Sequence, residues 1–168
     1  MFKVQVARST RTFKSISVSV MAMIVLLAGM FGSVSSAKAA PEDAPASAGA
    51  AIVSIAYKYN GYRYRYGGSS PSGFDCSGFV YYVYRQAGIS IGRDTNSQYN
   101  SGTRVSFNNL QPGDIVLFSN TYRRGLSHAA IYIGGGQIIH AVNESVGVTV
   151  SNLNSSYWRS HFTTGVRP

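Results

Sequence analysis

Cys76 is the sole cysteine in 168 residues, so no internal disulfide can hold this fold together. The chain must rely on an apolar core. The thiol is also left free, and a free thiol needs a role. It sits in Gly73-Phe74-Asp75-Cys76-Ser77-Gly78-Phe79-Val80, between a glycine-rich loop and an apolar helical pattern. Asp75 is a good N-cap, which puts Cys76 in the first helical turn. Partial positive charge at a helix start favours thiolate over thiol.

Its solitude gains meaning from the N-terminus. Lys3, Arg8, Arg11 and Lys14 form a basic head, and Ile16 to Val34 is apolar and free of charge. Ala37-Lys38-Ala39 then fits the small-x-small rule of a secretory cleavage site. Residues 1–39 therefore read as a signal peptide, with the cut expected after Ala39. No cysteine near that cut offers a site for a lipid anchor. The membrane enters only through this segment before cleavage, and the expected location is secreted, in a periplasm or cell wall. The remaining part holds about 129 residues, enough for one core, with a net charge of about +4 of the formal +9. That charge is ordinary for a surface, though compatible with an anionic wall.

Residues 40–47 read as a linker. A helix is expected from Ala48 to Tyr59, capped by Ser47 and striped by Ile52, Ile55, Ala56 and Tyr59. The Cys76 helix runs to about Ala87, where Gly88 stops it. Further on the period changes to that of strands: Asp114–Phe118, Ser127–Ile133, Gln137–Val142 and Val146–Ser151, with Gly134-Gly135-Gly136 as a hairpin turn. Trp158 and Phe162 are expected to close the core. Helices followed by a meander predict an α+β fold with an antiparallel sheet.

The hairpin supplies chemistry. A three-residue loop at 134–136 pairs Ile133 with Gln137 and sets Ala130 opposite His140. His128 then lies diagonal to His140 on one face, roughly 7 Å away. A two- or four-residue loop would put the two histidines on opposite faces. Imidazole can take a thiol proton near neutral pH, and a third group can fix its tilt. Main-chain N–H groups at the helix start, helped by a hydroxyl, suit an oxyanion. The histidines lack zinc spacing: there is no C-x-x-C and no H-E-x-x-H, so no metal is expected. Only 92 residues follow Cys76, which excludes the papain chain order. His161, near Trp158 and Phe162, reads as structural. Tyr62-Arg63-Tyr64-Arg65-Tyr66-Gly67-Gly68 mimics a nucleic-acid strip but leads into the cysteine loop, so it reads as a cleft wall.

Five segments occur in order: Tyr64–Gly68, Gly73–Val80, Leu110–Asp114, Ser127–Gly134 and Ile139–Ala141. Together they resemble an NlpC/P60 cell-wall peptidase domain, over roughly Ile52 to Arg167. The resemblance implies a papain-like, circularly permuted α+β fold over residues 48–168. It implies a monomeric cysteine endopeptidase without cofactor, acting on peptidoglycan stem peptides between γ-D-glutamyl and a diamino acid such as meso-diaminopimelate or lysine. Nucleic acid is not an implied partner. Cys76 matches the nucleophile, His128 the base and His140 the third polar residue. Tyr64 matches the tyrosine beside the oxyanion, and Asp75 and Ser77 match residues that hold the stem peptide. Arg63, Tyr66 and Ala129 depart from the commoner proline, tryptophan and valine. A related amidase or acyltransferase on the same Cys-His core, or a non-catalytic wall-binding protein, are the alternative readings.

Overall fold

The computed structural model describes residues 45–168. The expected signal peptide and the first part of the linker lie outside the described residues. Helix α1 spans Pro45–Tyr57, so it starts before the cap expected at Ser47. Proline suits a first helical turn, where its missing N–H has no partner to lose. Ile52 and Ala56 are buried from this helix, and the chain turns out of it at Gly61 with φ +83°.

A short hairpin, β1 (Ser69–Ser70) and β2 (Gly73–Phe74), leads into α2, Cys76–Gln86. Asp75 has the extended backbone of an N-cap, and its Oδ1 accepts the Gly78 N–H at 2.7 Å. Ala87 closes the helix, and Gly88 follows in the left-handed region at φ +78°. Both ends are where the sequence predicts them. Helix α3, Thr95–Tyr99, was not foreseen; Asp94 caps it by accepting from the Asn96 and Ser97 N–H groups.

Strands β3 (Thr103–Val105), β4 (Ile115–Ser119), β5 (Leu126–Gly134), β6 (Gln137–Ala141), β7 (Val148–Asn152) and β8 (Phe162–Arg167) form one antiparallel sheet. Its order is β3-β8-β4-β5-β6-β7. The predicted meander is β4 to β7. The last strand returns on the far side of β4, after helix α4 (Ser156–His161). Two apolar layers sandwich the sheet. Ile115, Leu117, Ala129, Ile131, Ile139 and Ala141 pack against α1 and α2. Val116, Phe118, Ala130 and Ile138 pack under Leu153, with Trp158 and Phe162 beside them. Burial on both faces is why β4 reads as an unbroken apolar run.

The β5–β6 hairpin reaches the expected register by a different route. Gly134 pairs with Gln137, so the loop holds only Gly135 and Gly136, at φ +59° and +72°. That pair fits a two-residue I′ turn, which needs positive φ at both positions. Taken alone, it would put the histidines on opposite faces. Ile133 is an extra residue, and the bulge between Tyr132 and Gly134 restores the pairing of Ile131 with Ile139. Continued along the strands, this sets Ala130 opposite His140.

Gly49 fits the first turns of α1 to the 111–114 turn, because a Cβ there would run into the Pro112 carbonyl oxygen. Helix propensity alone would make Gly49→Ala stabilising by about 1 kcal/mol. Overpacking against rigid backbone costs about 1–3 kcal/mol. Urea denaturation of Gly49→Ala should therefore give a net loss of stability, and a gain would show that α1 docks loosely.

Candidate active site

The site begins with the Asp75 carboxylate. Oδ1 accepts from Gly78 N–H and from Arg93 Nη1 at 3.0 Å. Oδ2 accepts from Gly67 N–H at 2.9 Å and from Arg93 Nη2 at 2.8 Å. The Ser77 hydroxyl reaches the same carboxylate and accepts from Arg93 Nη1 at 3.0 Å. Arg93 also donates to the Gly68 carbonyl. The Gln98 side chain donates to the carbonyls of Ser77 and Gly92, tying α3 to the start of α2. One cluster thus joins the Tyr64–Gly68 loop, the Cys76 helix start and the segment around Arg93. Arg93 and Gln98 lie outside the sequence-level site. The part-buried Asp75 carboxylate needs a cation, and Arg93 supplies it.

Cys76 is buried against β5. Its Sγ lies 4.0 Å from the Ser127 carbonyl oxygen, and the Ala129 N–H also faces it. The main chain on both sides of His128 therefore brackets the thiol. Burial pushes the Cys76 thiol up, against the pull of the N–H groups of Ala129, Ser77 and Cys76 itself. The helix start alone would favour thiolate; burial outweighs it, and the resting form is thiol.

His128 and His140 meet as the register requires. His128 Nε2 and His140 Nδ1 are 2.7 Å apart, and the rings cross at 84°. His140 Nε2 lies 2.9 Å from Ser151 Oγ on β7. Trp158 stacks on His128, with centroids 5.2 Å apart and planes at 27°, and lies nearly perpendicular to His140, with centroids 4.8 Å apart. Burial lowers His128 to about 4. Burial first, and then the neighbouring His128, take His140 well below the usual imidazole range. Both rings are neutral at rest near pH 7. Burial, then the negative forms of Cys76 and Asp75, raise Tyr64 to about 12, so its hydroxyl keeps its proton beside the thiol.

Two hollows flank this centre. One, of about 210 Å³, is walled by Tyr64, Asp75, Cys76, Ser77, Arg93 and Tyr122, among others. The other, of about 340 Å³, is walled by His128, Asn143, Tyr157 and Trp158. Tyr122 borders both. Tyr122 is 62 % exposed and stands on the β4–β5 loop, which is pinned by hydrogen bonds from Thr121 to Ser127. His161 stays apart, with Nδ1 2.7 Å from the Tyr157 carbonyl oxygen. The six residues singled out from the sequence thus converge, while Arg93, Tyr122, Ser151 and the stacking role of Trp158 went unseen.

The model of the NlpC/P60 family matches residues 61–167. The chain belongs to the NlpC/P60 family. Over 125 residues it is 50 % identical to the gamma-DL-glutamyl hydrolase of Bacillus subtilis (strain 168), covering 73 % of this chain and 30 % of that protein. Over 112 residues it is 38 % identical to the bifunctional muramidase/DL-endopeptidase CwlT of the same strain, covering 66 % and 33 %. The chain thus spans about a third of these curated relatives. The crystal structure of the NlpC/p60 domain of peptidoglycan hydrolase SagA superposes with a TM-score of 0.62 at 44 % identity, over 71 % of this chain and 98 % of that one. An NlpC/P60 family protein from Bacillus cereus ATCC 10987 gives 0.67 at 31 % identity, over 71 % and 39 %. The fold is the α+β, papain-like fold of this family, as the resemblance implied.

The neutral histidines carry a stability consequence. A group whose pKa is depressed by folding contributes stability that is complete above its unfolded value, near 6.5, and is lost as pH falls through the folded value, about 4 for His128. Between pH 7 and pH 4 the protein should lose on the order of 3 kcal/mol from His128 alone. Urea midpoints for wild type and His128→Asn across this range check it. The variant should show the flatter slope, and parallel curves would contradict a neutral buried His128.

Proposed function

We propose that the chain is an exported cysteine endopeptidase of peptidoglycan that cuts the stem peptide after γ-D-glutamate. The observation that carries this reading is a single thiol at a helix start, bracketed by the backbone around a histidine that is hydrogen-bonded to a second histidine. The printed names of the relatives support it, since they describe a gamma-DL-glutamyl hydrolase, a DL-endopeptidase and a peptidoglycan hydrolase. The first names a glutamyl bond, and both of the first two names carry the D,L designation.

In this reading Cys76 Sγ attacks the γ-carbonyl carbon. His128 Nε2 is committed to His140, so Nδ1 is the nitrogen that receives the thiol proton. Main-chain N–H groups at the start of α2 meet the oxyanion, and the Tyr64 hydroxyl, still protonated, is a further donor. His128 passes the proton to the leaving amine of the diamino acid, and a thioester remains on Cys76. Water, deprotonated by the same ring, hydrolyses it and frees the γ-carboxylate. The thiol and imidazole begin neutral, so charge separates only as the bond forms. Asp75 and Ser77 border the hollow proposed for the acyl side, whose wall also carries Arg93, Asp94 and Arg123. Asp75 directs its oxygens to Gly67, Gly78 and Arg93, so its share is chiefly to set that wall in place. The leaving amine faces the hollow under Trp158.

Residues 1–39 act as the signal peptide, which delivers the domain to the wall. The site gives no support to the non-catalytic alternative, which would require neither the buried thiol nor the paired imidazoles.

Cys76→Ala should abolish release of soluble fragments from purified sacculi, with an unchanged circular dichroism spectrum and an unfolding free energy within about 1 kcal/mol of wild type. A drop of at least 10³-fold is expected for loss of a covalent nucleophile. Wild-type release by this variant would overturn the proposal.

A further inference from the structure

We propose that Ser151 is a positioning residue of this site: its hydroxyl accepts the Nε2–H of His140, and this holds His128 in the one tautomer that can serve Cys76. The inference rests on the reading of Cys76, His128 and His140 given above. Ser151 lies on β7, the outermost strand of the sheet on that side. His140 pairs with Thr149 across the β6–β7 ladder, so Ser151 is its diagonal neighbour on the same face. The Oγ–Nε2 distance is 2.9 Å.

The polarity of the chain follows from proton counting. A neutral imidazole has one N–H and one bare nitrogen. For His128 to accept the thiol proton, its Nδ1 must be bare and its Nε2 must carry hydrogen. That Nε2–H donates to His140 Nδ1, which must then be bare. His140 therefore carries its hydrogen on Nε2 and needs an acceptor, and Ser151 Oγ is the group in place. In the reverse arrangement His140 donates to His128 Nε2. Hydrogen then sits on His128 Nδ1, and the thiol has no base. The choice is closed once His128 gains a proton, because an imidazolium donates from both nitrogens. Ser151 must accept in that state, and the outward run of N–H groups ends on its oxygen. The dry surroundings raise the stakes, because His140 is fully buried and its Nε2–H has little access to water.

A serine hydroxyl also links a buried pair to the edge of the sheet. The side chain is only partly covered, so its own hydrogen can turn toward solvent. The acceptor lone pair is thus kept for His140 without a second buried polar group to satisfy.

The test uses the full domain with 15N-labelled histidine. Two-bond 1H–15N spectra at pH 7 assign the tautomer of each ring, independently of activity. Wild type should show Nε2–H on both His128 and His140. Ser151→Ala should populate Nδ1–H on His140 and lower kcat on a soluble muropeptide roughly tenfold, the scale of one hydrogen bond to a charged group, with KM unchanged. Ser151→Thr should restore the wild-type tautomers and bring kcat back to within about threefold of wild type. An alanine variant that keeps wild-type tautomers, or keeps wild-type kcat, overturns the role. So does a threonine variant as impaired as alanine. If wild type cleaves no muropeptide while the tautomers respond as expected, the assignment of Ser151 stands and the proposed peptidase activity falls.

Discussion

The ion pair between Asp75 and Arg93 holds the site together. Its groups come from three stretches that only the tertiary fold brings together: the Tyr64–Gly68 loop, the start of α2 and the segment before α3. The Asp75 side chain is 13 % exposed, and its oxygens are taken up by two main-chain N–H groups and a forked guanidinium. Bidentate pairing of this kind fixes angle as well as distance. It orients the first turn of α2 and therefore the thiol. The same carboxylate fixes the loop that carries Tyr64 beside that thiol. A helix cap has become the hub of a cleft.

The second constraint is dryness. Cys76, His128 and His140 are each at most 4 % exposed, under a tryptophan that stacks on His128. Burial disfavours every charged form, so it raises the thiol and lowers both imidazoles. The helix start and the Ala129 N–H oppose this for sulfur but do not win. The outcome is a resting pair without charge, backed by a hydrogen-bonded chain already oriented to accept it. Such a site separates charge only when a substrate carbonyl is there to take up the electron pair. That suits the exported hydrolase proposed above, whose thiol would otherwise meet oxidants outside the cytoplasm.

The parts of this arrangement that are local were legible in the sequence. Asp75 as a cap, Cys76 in the first turn and Gly88 as a stop each follow from a few neighbouring residues. The pairing of His128 with His140 follows from strand alternation, yet through a turn of the wrong length. The bulge at Ile133 compensated, and nothing in Ile-Tyr-Ile-Gly-Gly-Gly distinguishes a three-residue loop from a two-residue loop with a bulge. The sequence places Ser151 at the end of a strand but hides its neighbour, because the β6–β7 register depends on the turn at 142–147. Arg93 was silent for a related reason: it is one arginine among many, and only the fold brings it to Asp75. The strand at 162–167 carries Phe, Thr, Thr and Val, a good strand composition, but its place beside β4 is a matter of topology rather than pattern.

The activity proposed for this site is hydrolysis of the bond between γ-D-glutamate and a diamino acid. Digestion of defined muropeptides, with mass analysis of the fragments, tests it most directly. The expected result is one new pair of products, a fragment ending in free D-glutamate and a peptide beginning with the diamino acid. Intact substrate after prolonged digestion, or scission at the sugar–peptide amide instead, would contradict it.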